Sequence, residues 1–251
     1  MAHNRWDTVF PATFSGSGPD FSAMLKANNI STRVQNHLRQ VYLTLAATMA
    51  AAVAGVVFYL YTHVSPLLST ISMMVLLFGL TFERRDVPVE SRLPRLLLFG
   101  FCQGASVGSL VETAIAVSPM VVAQSFVVTT LVFGCFAVVA TLSERRSMLY
   151  LYGIVASGLS WLLFASFANF FLRSSALFGA EVYLGLALFV GYVCADSQMI
   201  IERADLGDDD YIRHALELFL DFVAIFVRVL IIYLRSSAES RQSESRKKRR
   251  E

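Results

Sequence analysis

Two aspartates lie inside long apolar stretches of this sequence, Asp196 in one stretch and Asp221 in the next. An ionisable side chain at such a position is energetically costly, which makes it a functional candidate. At 1.5 Å per residue, Asp196 lies roughly 7–8 Å from the end of its stretch, and Asp221 roughly 10 Å from the facing end of the next. Because a short connection joins the two stretches, we expect the two carboxyl groups to lie at similar depth and to meet.

The chemistry of such a pair depends on its protons. Two carboxyl groups in contact cannot both ionise cheaply, so they share a proton and titrate as a unit. Loss of that proton would make the pair a latch controlled by pH. A fully ionised pair would instead attract a hard cation such as calcium, which prefers carboxylate oxygens, so Asp196 and Asp221 are also candidate calcium ligands. The structural alternative, in which each aspartate caps a broken helix or pairs with an arginine, stays open at this stage.

The last apolar stretch carries further polar residues at helical spacing. His214, Glu217, Asp221, Arg228 and Arg235 fall on one stripe of an α-helix, and the rest of the stretch is almost wholly apolar. A helix with a polar stripe in a membrane is expected to bury that stripe in a helical bundle or to line a water path with it. Arg228 is a candidate partner that neutralises one of the carboxylates, which would be a structural role.

Other acidic residues lie near the ends of the apolar stretches. Glu112 and Glu181 lie at the ends opposite to the aspartates, where they would form an acidic mouth that concentrates cations. The simpler alternative is that both are interfacial carboxylates that reach water. Asp208, Asp209 and Asp210 form a short run that predicts a solvated turn, because the spacing of an EF-hand calcium loop is absent.

The composition indicates that a bilayer is the solvent for most of the chain. Of its 251 residues, 55% are hydrophobic and 16% are charged, whereas soluble domains carry about 25% charged residues. The charges separate seven apolar runs, most of which reach the roughly 20 residues needed to cross a bilayer. The runs are approximately 41–62, 66–82, 96–117, 119–142, 148–172, 177–201 and 214–234. We therefore predict an all-α fold, a polytopic bundle of seven membrane helices over residues 41–234, with short loops that make neighbouring helices antiparallel.

Small residues predict one close helix contact. Gly100, Gly104 and Gly108 form a double G-x-x-x-G in the third run, which places three missing side chains on one helix face and lets two backbones approach. The three cysteines lie inside apolar runs without C-x-x-C spacing, so neither a zinc site nor a disulfide is expected, and no cofactor is predicted.

The lysines and arginines predict the orientation of the bundle. They alternate between connections, which puts the N-terminal segment 1–40 in the cytosol. The tail 235–251 holds seven basic residues and is predicted to be disordered, cytosolic and attracted to anionic lipid, with no sign of nucleic-acid binding. Seven full crossings would leave this tail outside the cytosol. Either segment 214–234 enters the membrane and returns or sits inside the bundle without a conventional crossing, or it spans and the late charges are overruled.

Several motifs in the last third of the chain match a known family. They are Asp196-Ser197-Gln198-Met199-Ile200-Ile201-Glu202, Gly207-Asp208-x-Asp210-Tyr211-Ile212, Tyr211-Ile212-x-His214 and Leu218-Phe219-Leu220-Asp221-Phe222. Together they resemble the signature of the Bax inhibitor-1 family, also called the transmembrane Bax inhibitor motif family. Leu110-x-Glu112 and Ala116-Val117-x-Pro119 resemble the branch from which the family takes its name. The resemblance covers about residues 25–235 and is most specific over 183–222.

The resemblance implies more than the residues do by themselves. It implies a bundle with the last helix at its centre, the endoplasmic reticulum membrane, a pH-sensitive calcium leak and suppression of cell death. It also implies that Asp196 and Asp221 form the pH-sensing pair, with calcium as the permeant ion. By analogy with bacterial relatives, Arg84 or Arg85 would bond to the first aspartate. Bcl-2-family proteins and sensors of endoplasmic reticulum stress are the partners that the resemblance suggests.

Three functions are compatible with these residues. The first is a calcium leak gated by the aspartate pair, and the second is a non-conducting regulator that binds cell-death proteins. The third is an intramembrane aspartyl protease, which also needs two aspartates on adjacent helices. The motifs of those proteases are missing, because Cys194-Ala195 precedes one aspartate and Phe219-Leu220 the other. We therefore predict that the protein is not an enzyme.

Overall fold

The structure, a computed structural model, describes residues 31–82, 87–142 and 148–248. Within those ranges the chain forms seven α-helices and no β-strand, which confirms the predicted all-α class. The helices are α1 (Thr32–Thr62), α2 (Pro66–Thr81), α3 (Val89–Val117), α4 (Pro119–Leu142), α5 (Met148–Leu172), α6 (Ser175–Asp205) and α7 (Tyr211–Lys248).

Local residue chemistry fixes several helix ends. The hydroxyl of Ser31 accepts a hydrogen bond from the Val34 backbone at 3.4 Å and caps the start of α1. Pro66 and Pro119 are the first residues of α2 and α4, where the missing N–H has no intrahelical partner to lose. His63 ends α1 in the left-handed conformation, at φ 48°, and its N–H still bonds to the α1 backbone.

In the described part of the chain, five helices are long and apolar enough to cross a membrane, namely α1, α3, α4, α5 and α6. The apolar helix α2 has 16 residues, about 24 Å, and is shorter than the roughly 30 Å of hydrocarbon in a bilayer. In α7, Glu217, Asp221 and Arg228 interrupt the apolar stretch. The predicted polytopic membrane bundle is confirmed, and the helix that departs from a simple apolar span is the one that carries the polar stripe.

The last helix lies at the centre of the bundle. It packs against α1, α3, α4 and α6, whereas α2 packs mainly on α3, and α5 mainly on α6. About half of the main hydrophobic core comes from α7, through Ile212, Ala215, Leu216, Leu218, Phe219, Phe222, Ile225 and Val229. A helix surrounded by four others has little contact with lipid, so its polar side chains meet protein rather than hydrocarbon.

The predicted disordered tail is helical over residues 235–248. The helix α7 is a single α-helix of 38 residues that continues to Lys248. The change from apolar to basic composition ended the predicted span, but it does not end the helix, because no glycine or proline occurs between 211 and 248, and arginine, alanine, glutamate and lysine are good helix formers. Because this helix is continuous, the alternative that segment 214–234 enters the membrane and returns is wrong.

The start of α1 and the end of α7 lie at opposite ends of the bundle. Arg33 contacts Asp209 in the connection between α6 and α7, residues 206–210, which we call the acidic loop. At the other end, the Arg235 guanidinium lies 4.6 Å from the ring centre of Phe178, in the first turn of α6. Arg33 and Arg235 therefore lie at opposite ends of the bundle.

The glycines of α3 face α1 across a close backbone contact. A β-carbon on Gly100 would lie 2.8 Å from the Thr48 side chain, and one on Gly104 would overlap the Ala52 carbonyl oxygen. Gly108 lies against a tyrosine ring of α1 in the same way. Such contacts replace the hydrophobic effect as the source of helix association in lipid.

Replacing Gly104 with alanine is therefore expected to push α1 and α3 apart and to destabilise the folded protein by about 1–3 kcal/mol, the usual cost of overpacking. Gly134→Ala in α4 is the matched control, because nothing lies within 4 Å of its added β-carbon. Unfolding by a denaturing detergent measures both variants. Equal stability of the two variants would contradict the close contact.

Candidate functional site

The structure brings the two predicted aspartates together between α6 and α7. Their carboxyl groups lie within hydrogen-bonding reach of each other. Asp221 is only 4% exposed, and its Oδ2 atom is buried without a hydrogen-bond partner in the described part of the chain. A hydrogen bond between two carboxyl groups needs a proton on one of them, so two carboxyl groups placed in this way are able to share one proton.

Two polar contacts on either side of Asp196 fix the rotation of α6 against α4. The Gln198 amide donates to the Ala140 carbonyl oxygen at 2.9 Å, and the Cys194 thiol lies 3.7 Å from the Phe136 carbonyl oxygen. Both bonds are made to the α4 backbone, so they hold one side of α6 to α4 and leave Asp196 directed to α7. The family motif includes Gln198, but its anchoring contact was not predicted from the sequence.

Glu217, one turn before Asp221, is held by arginines. The guanidinium of Arg203 on α6 lies 3.3 Å from its carboxylate, and that of Arg213 lies 3.4 Å away within α7. The stripe therefore changes character along α7, since Glu217 is paired with arginines, whereas Asp221 faces the carboxyl group of Asp196. Glu217 adds a negative charge near the pair, and Arg203 offsets it.

Arg228 lies on the same side of α7 but does not reach the carboxyl pair. Its guanidinium lies 4.4 Å from the ring centre of Phe189 and donates to the Ala224 carbonyl oxygen at 2.9 Å. Seven residues separate Arg228 from Asp221, a rise of about 10 Å, which is too far for contact. The cation–π contact and the backbone acceptor replace the predicted carboxylate partner. Arg84 and Arg85, the other predicted partners, lie outside the described residues.

The stripe of α7 faces α6 at four successive levels. The contacts run from Arg203 with Glu217, through Asp196 with Asp221 and Phe189 with Arg228, to Phe178 with Arg235. These pairs descend along α6 as they ascend along α7, so the two helices are antiparallel. The predicted stripe is therefore a polar seam, a term we use for this α6–α7 contact, and it contains the carboxyl pair.

The acidic loop is solvated at Asp209, as predicted, but docks onto α3 through Asp210. Asp210 forms an ion pair with Arg92 of α3 at 2.9 Å, and the two side chains are only 11% and 7% exposed. Its carboxylate also accepts a hydrogen bond from the Arg213 backbone at 3.2 Å and caps α7. Asp209 pairs with Arg33 of α1 at 2.6 Å, and this hydrogen bond lowers the pKa of the Asp209 carboxyl group.

A buried histidine pair lies beside the acidic loop. The His37 Nε2 and His214 Nδ1 atoms are 2.9 Å apart and join α1 to the first turn of α7. The residues are 4% and 0% exposed. His214 was predicted on the polar stripe, but His37 was not predicted. The three- and four-residue spacing of His37 with Val34 and Val41 was a signal for a buried face of α1.

The two glutamates predicted to form an acidic mouth are held by different helices. Glu112 on α3 lies 3.6 Å from the His63 imidazole and near Tyr59. Glu181 on α6 accepts a hydrogen bond from Ser166 at 3.3 Å. In the described helices, α3 and α6 make no extended contact, so the two carboxylates do not converge on one opening.

Asp196 and Asp221 were also predicted as candidate calcium ligands. Calcium takes six to eight oxygen ligands, and the described residues contain no group of three or more acidic, histidine or cysteine side chains placed to hold a metal. The assignment of these two aspartates as calcium ligands stays a prediction.

The fold and the polar seam together define a class: a multi-pass helical membrane protein with two aspartates facing each other at the contact of its last two helices. The chain belongs to the Bax inhibitor-1 family. Residues 34–238 match the family model described as "Inhibitor of apoptosis-promoting Bax1". That range includes all of the polar seam.

Relatives from plants and animals cover most of the chain. It is 42% identical to Bax inhibitor 1 of Arabidopsis thaliana, over 87% of this chain and 89% of that protein. It is 41% identical to Bax inhibitor 1 of Oryza sativa subsp. japonica, over 94% of each chain. The identity to Bax inhibitor 1 of Homo sapiens is 37%, over 90% of this chain and 96% of the human protein.

Proposed function

We propose that this protein suppresses cell death from the endoplasmic reticulum membrane, and that it does so as a pH-sensitive calcium leak. The observation that carries the proposal is the placement of the Asp196 and Asp221 carboxyl groups within hydrogen-bonding reach of each other, between the central helix and its neighbour. The family description and the names of the relatives support the suppression of cell death. Calcium is the cargo and is not a bound cofactor.

The proposed gate is the polar seam itself. While the pair holds its proton, the hydrogen bond between Asp196 and Asp221 keeps α6 against α7. Loss of the proton places two negative charges in contact in a poorly solvated site, where their repulsion is strong. Separation of the carboxylates lets water enter the seam, and the newly exposed charges favour a cation over an anion. Glu217 adds to this bias.

Calcium entry into proteoliposomes that contain an indicator dye tests the leak. We expect the purified protein to raise the entry rate above that of protein-free liposomes, and more strongly as the pH rises. Asp221→Arg is expected to change both the rate and its pH dependence. An unchanged rate and pH dependence in this variant would show that the gate lies elsewhere.

A regulator that does not conduct ions is the second candidate. The observation that favours it is the extension of α7 past the packed bundle to Lys248, which presents a helix to other proteins. Its proposed partners are Bcl-2-family proteins and sensors of endoplasmic reticulum stress. Deleting residues 236–251 and measuring calcium flux and the survival of Bax-expressing cells separately distinguishes the two candidates, because a regulator acting through this segment loses protection while flux is retained.

An intramembrane aspartyl protease would use a similar pair of carboxyl groups sharing a proton. Neither aspartate of this chain lies in the motifs of those enzymes, and the family description names no catalytic activity. We expect no cleavage of transmembrane peptide substrates in detergent or liposomes. Cleavage abolished by Asp196→Ala would reverse this assignment.

The proposed orientation places the acidic-loop end of the bundle in the cytosol. This end also holds the start of α1 and Arg92 of α3, which agrees with the alternation of basic residues. With that end cytosolic, the path of α7 puts Lys248 on the luminal side, against the placement predicted from the basic residues of the tail.

We expect a tag after Glu251 to resist protease in sealed microsomes. Digestion of the tag, with an N-terminal tag also digested, would contradict a spanning α7.

A further inference from the structure

An apolar groove opens between α1 and α4, away from the polar seam. These two helices make no extended contact with each other in the described structure, and the space between them is floored by α3 and α7. The groove has a volume of about 340 Å³. Its walls include Val53 and Ala123, and its floor includes Val107, Phe222 and Phe226.

The lining identifies the chemistry of an occupant. Gln103 is the one residue with a polar side chain among those that line the groove, and all the others are apolar. A site with so few polar partners does not hold ordered water. Rim residues such as Val53 and Phe126 are 54% and 41% exposed, so the groove opens sideways rather than being closed inside the bundle.

The position of the groove identifies the source of that occupant. Its α1 wall runs from Met49 to Val57, in the middle of an apolar helix that crosses the membrane. At that depth the surrounding solvent is lipid hydrocarbon. A cavity of about 150 Å³ takes one benzene molecule, so about 340 Å³ has room for a chain of roughly a dozen carbons. A second helix, about 10 Å wide, is too broad for it.

We propose that this groove binds one acyl chain of a bilayer phospholipid. The acyl chain lies against Phe219 and Phe222 of α7, on a different side of this helix from Asp221 and α6. Phe222 also contacts Phe126 edge-to-face at 5.9 Å, which links the floor of the groove to its α4 wall. The central helix is thus held between protein on its polar side and lipid on its aromatic side. This binding does not depend on the proposed calcium leak.

Photocrosslinking in nanodiscs tests the proposal. The probe is a phosphatidylcholine with a diazirine in one acyl chain, and the attachment sites are located by mass spectrometry. We expect adducts on Val223 and Phe226 of α7, which line the groove, in addition to those on outward residues such as Phe164. Adducts confined to outward residues would overturn the proposal. So would labelling of α7 by a photoactivatable sterol but not by the phospholipid.

Filling the groove provides the matched comparison. Ala123→Phe places a ring in the groove, whereas Val138→Phe adds the same ring to an exposed position of the same helix. We expect Ala123→Phe to lower α7 adducts about tenfold, equivalent to 1.4 kcal/mol, and Val138→Phe to leave them unchanged. Val57→Phe replaces Ala123→Phe if the latter does not fold. If a folded groove-filling variant still gives undiminished adducts on α7, the groove does not hold the acyl chain.

Discussion

Asp221→Asn is expected to abolish the pH dependence of calcium flux and to keep the flux near the low value of the protonated wild type. The asparagine amide donates a hydrogen bond to the Asp196 carboxylate, so the contact of α6 with α7 survives with a single negative charge. In the wild type, loss of one shared proton changes the open population by at most about tenfold per pH unit. Flux into proteoliposomes, recorded from acidic to neutral pH, measures this slope.

The aspartate pair offers an internal control. Because either residue can carry the shared proton, Asp196→Asn is expected to flatten the profile in the same way as Asp221→Asn. Glu202→Gln removes a carboxylate from the same helix without touching the pair and is expected to keep the wild-type slope. A wild-type slope in either Asn variant would separate the pH sensor from the pair.

Arg92→Met is expected to be the most destabilising single change at the acidic loop. Arg92 and Asp210 form an ion pair whose side chains are 7% and 11% exposed, and loss of one partner leaves the other charge buried. Breaking such pairs costs about 3–5 kcal/mol. Unfolding in mixed detergent micelles gives the free energy. The effect is expected to spread to the start of α7, because Asp210 also caps that helix.

A double variant separates the lost ion pair from the stranded charge. Asp210→Asn keeps the cap of α7 but removes the charge, so Arg92→Met with Asp210→Asn is expected to be more stable than Arg92→Met alone. Arg33→Met is the exposed comparison, because Arg33 and Asp209 are each 60% exposed, and its effect is expected to be small. A double variant less stable than Arg92→Met would rule out the buried charge as the cause.

Much of the bundle and part of the site could be predicted from periodicity alone. Charge clusters marked the limits of the apolar runs. The spacing from Glu217 to Arg235 placed the polar residues of α7 on one side of that helix, and in the structure this side faces α6. Depth counting brought Asp196 and Asp221 to the same level, because both helices have the same rise per residue and share a short loop. These inferences depend only on helix geometry.

The partners across the bundle could not be predicted in the same way. Arg33, Arg92 and His37 lie more than a hundred residues from their partners, so no local spacing records those contacts. The run Asp208–Asp210 was predicted only as a solvated turn, because the two arginines that pair with it, Arg33 and Arg92, come from other helices. The end of α7 was misplaced for a different reason, since hydropathy measures solvent preference and not helix propensity.

The length of α7 has a mechanical consequence. From Asp221 to Lys248 the helix contains 27 residue steps without glycine or proline, a stiff arm of about 40 Å. If the seam acts as a pivot, a tilt of about 5° at Asp221 moves the far end of this arm by roughly 3–4 Å. Breaking one hydrogen bond within the membrane would then be transmitted as a displacement outside it. The carboxyl pair would thus set the position of the basic helical end as well as the state of the seam.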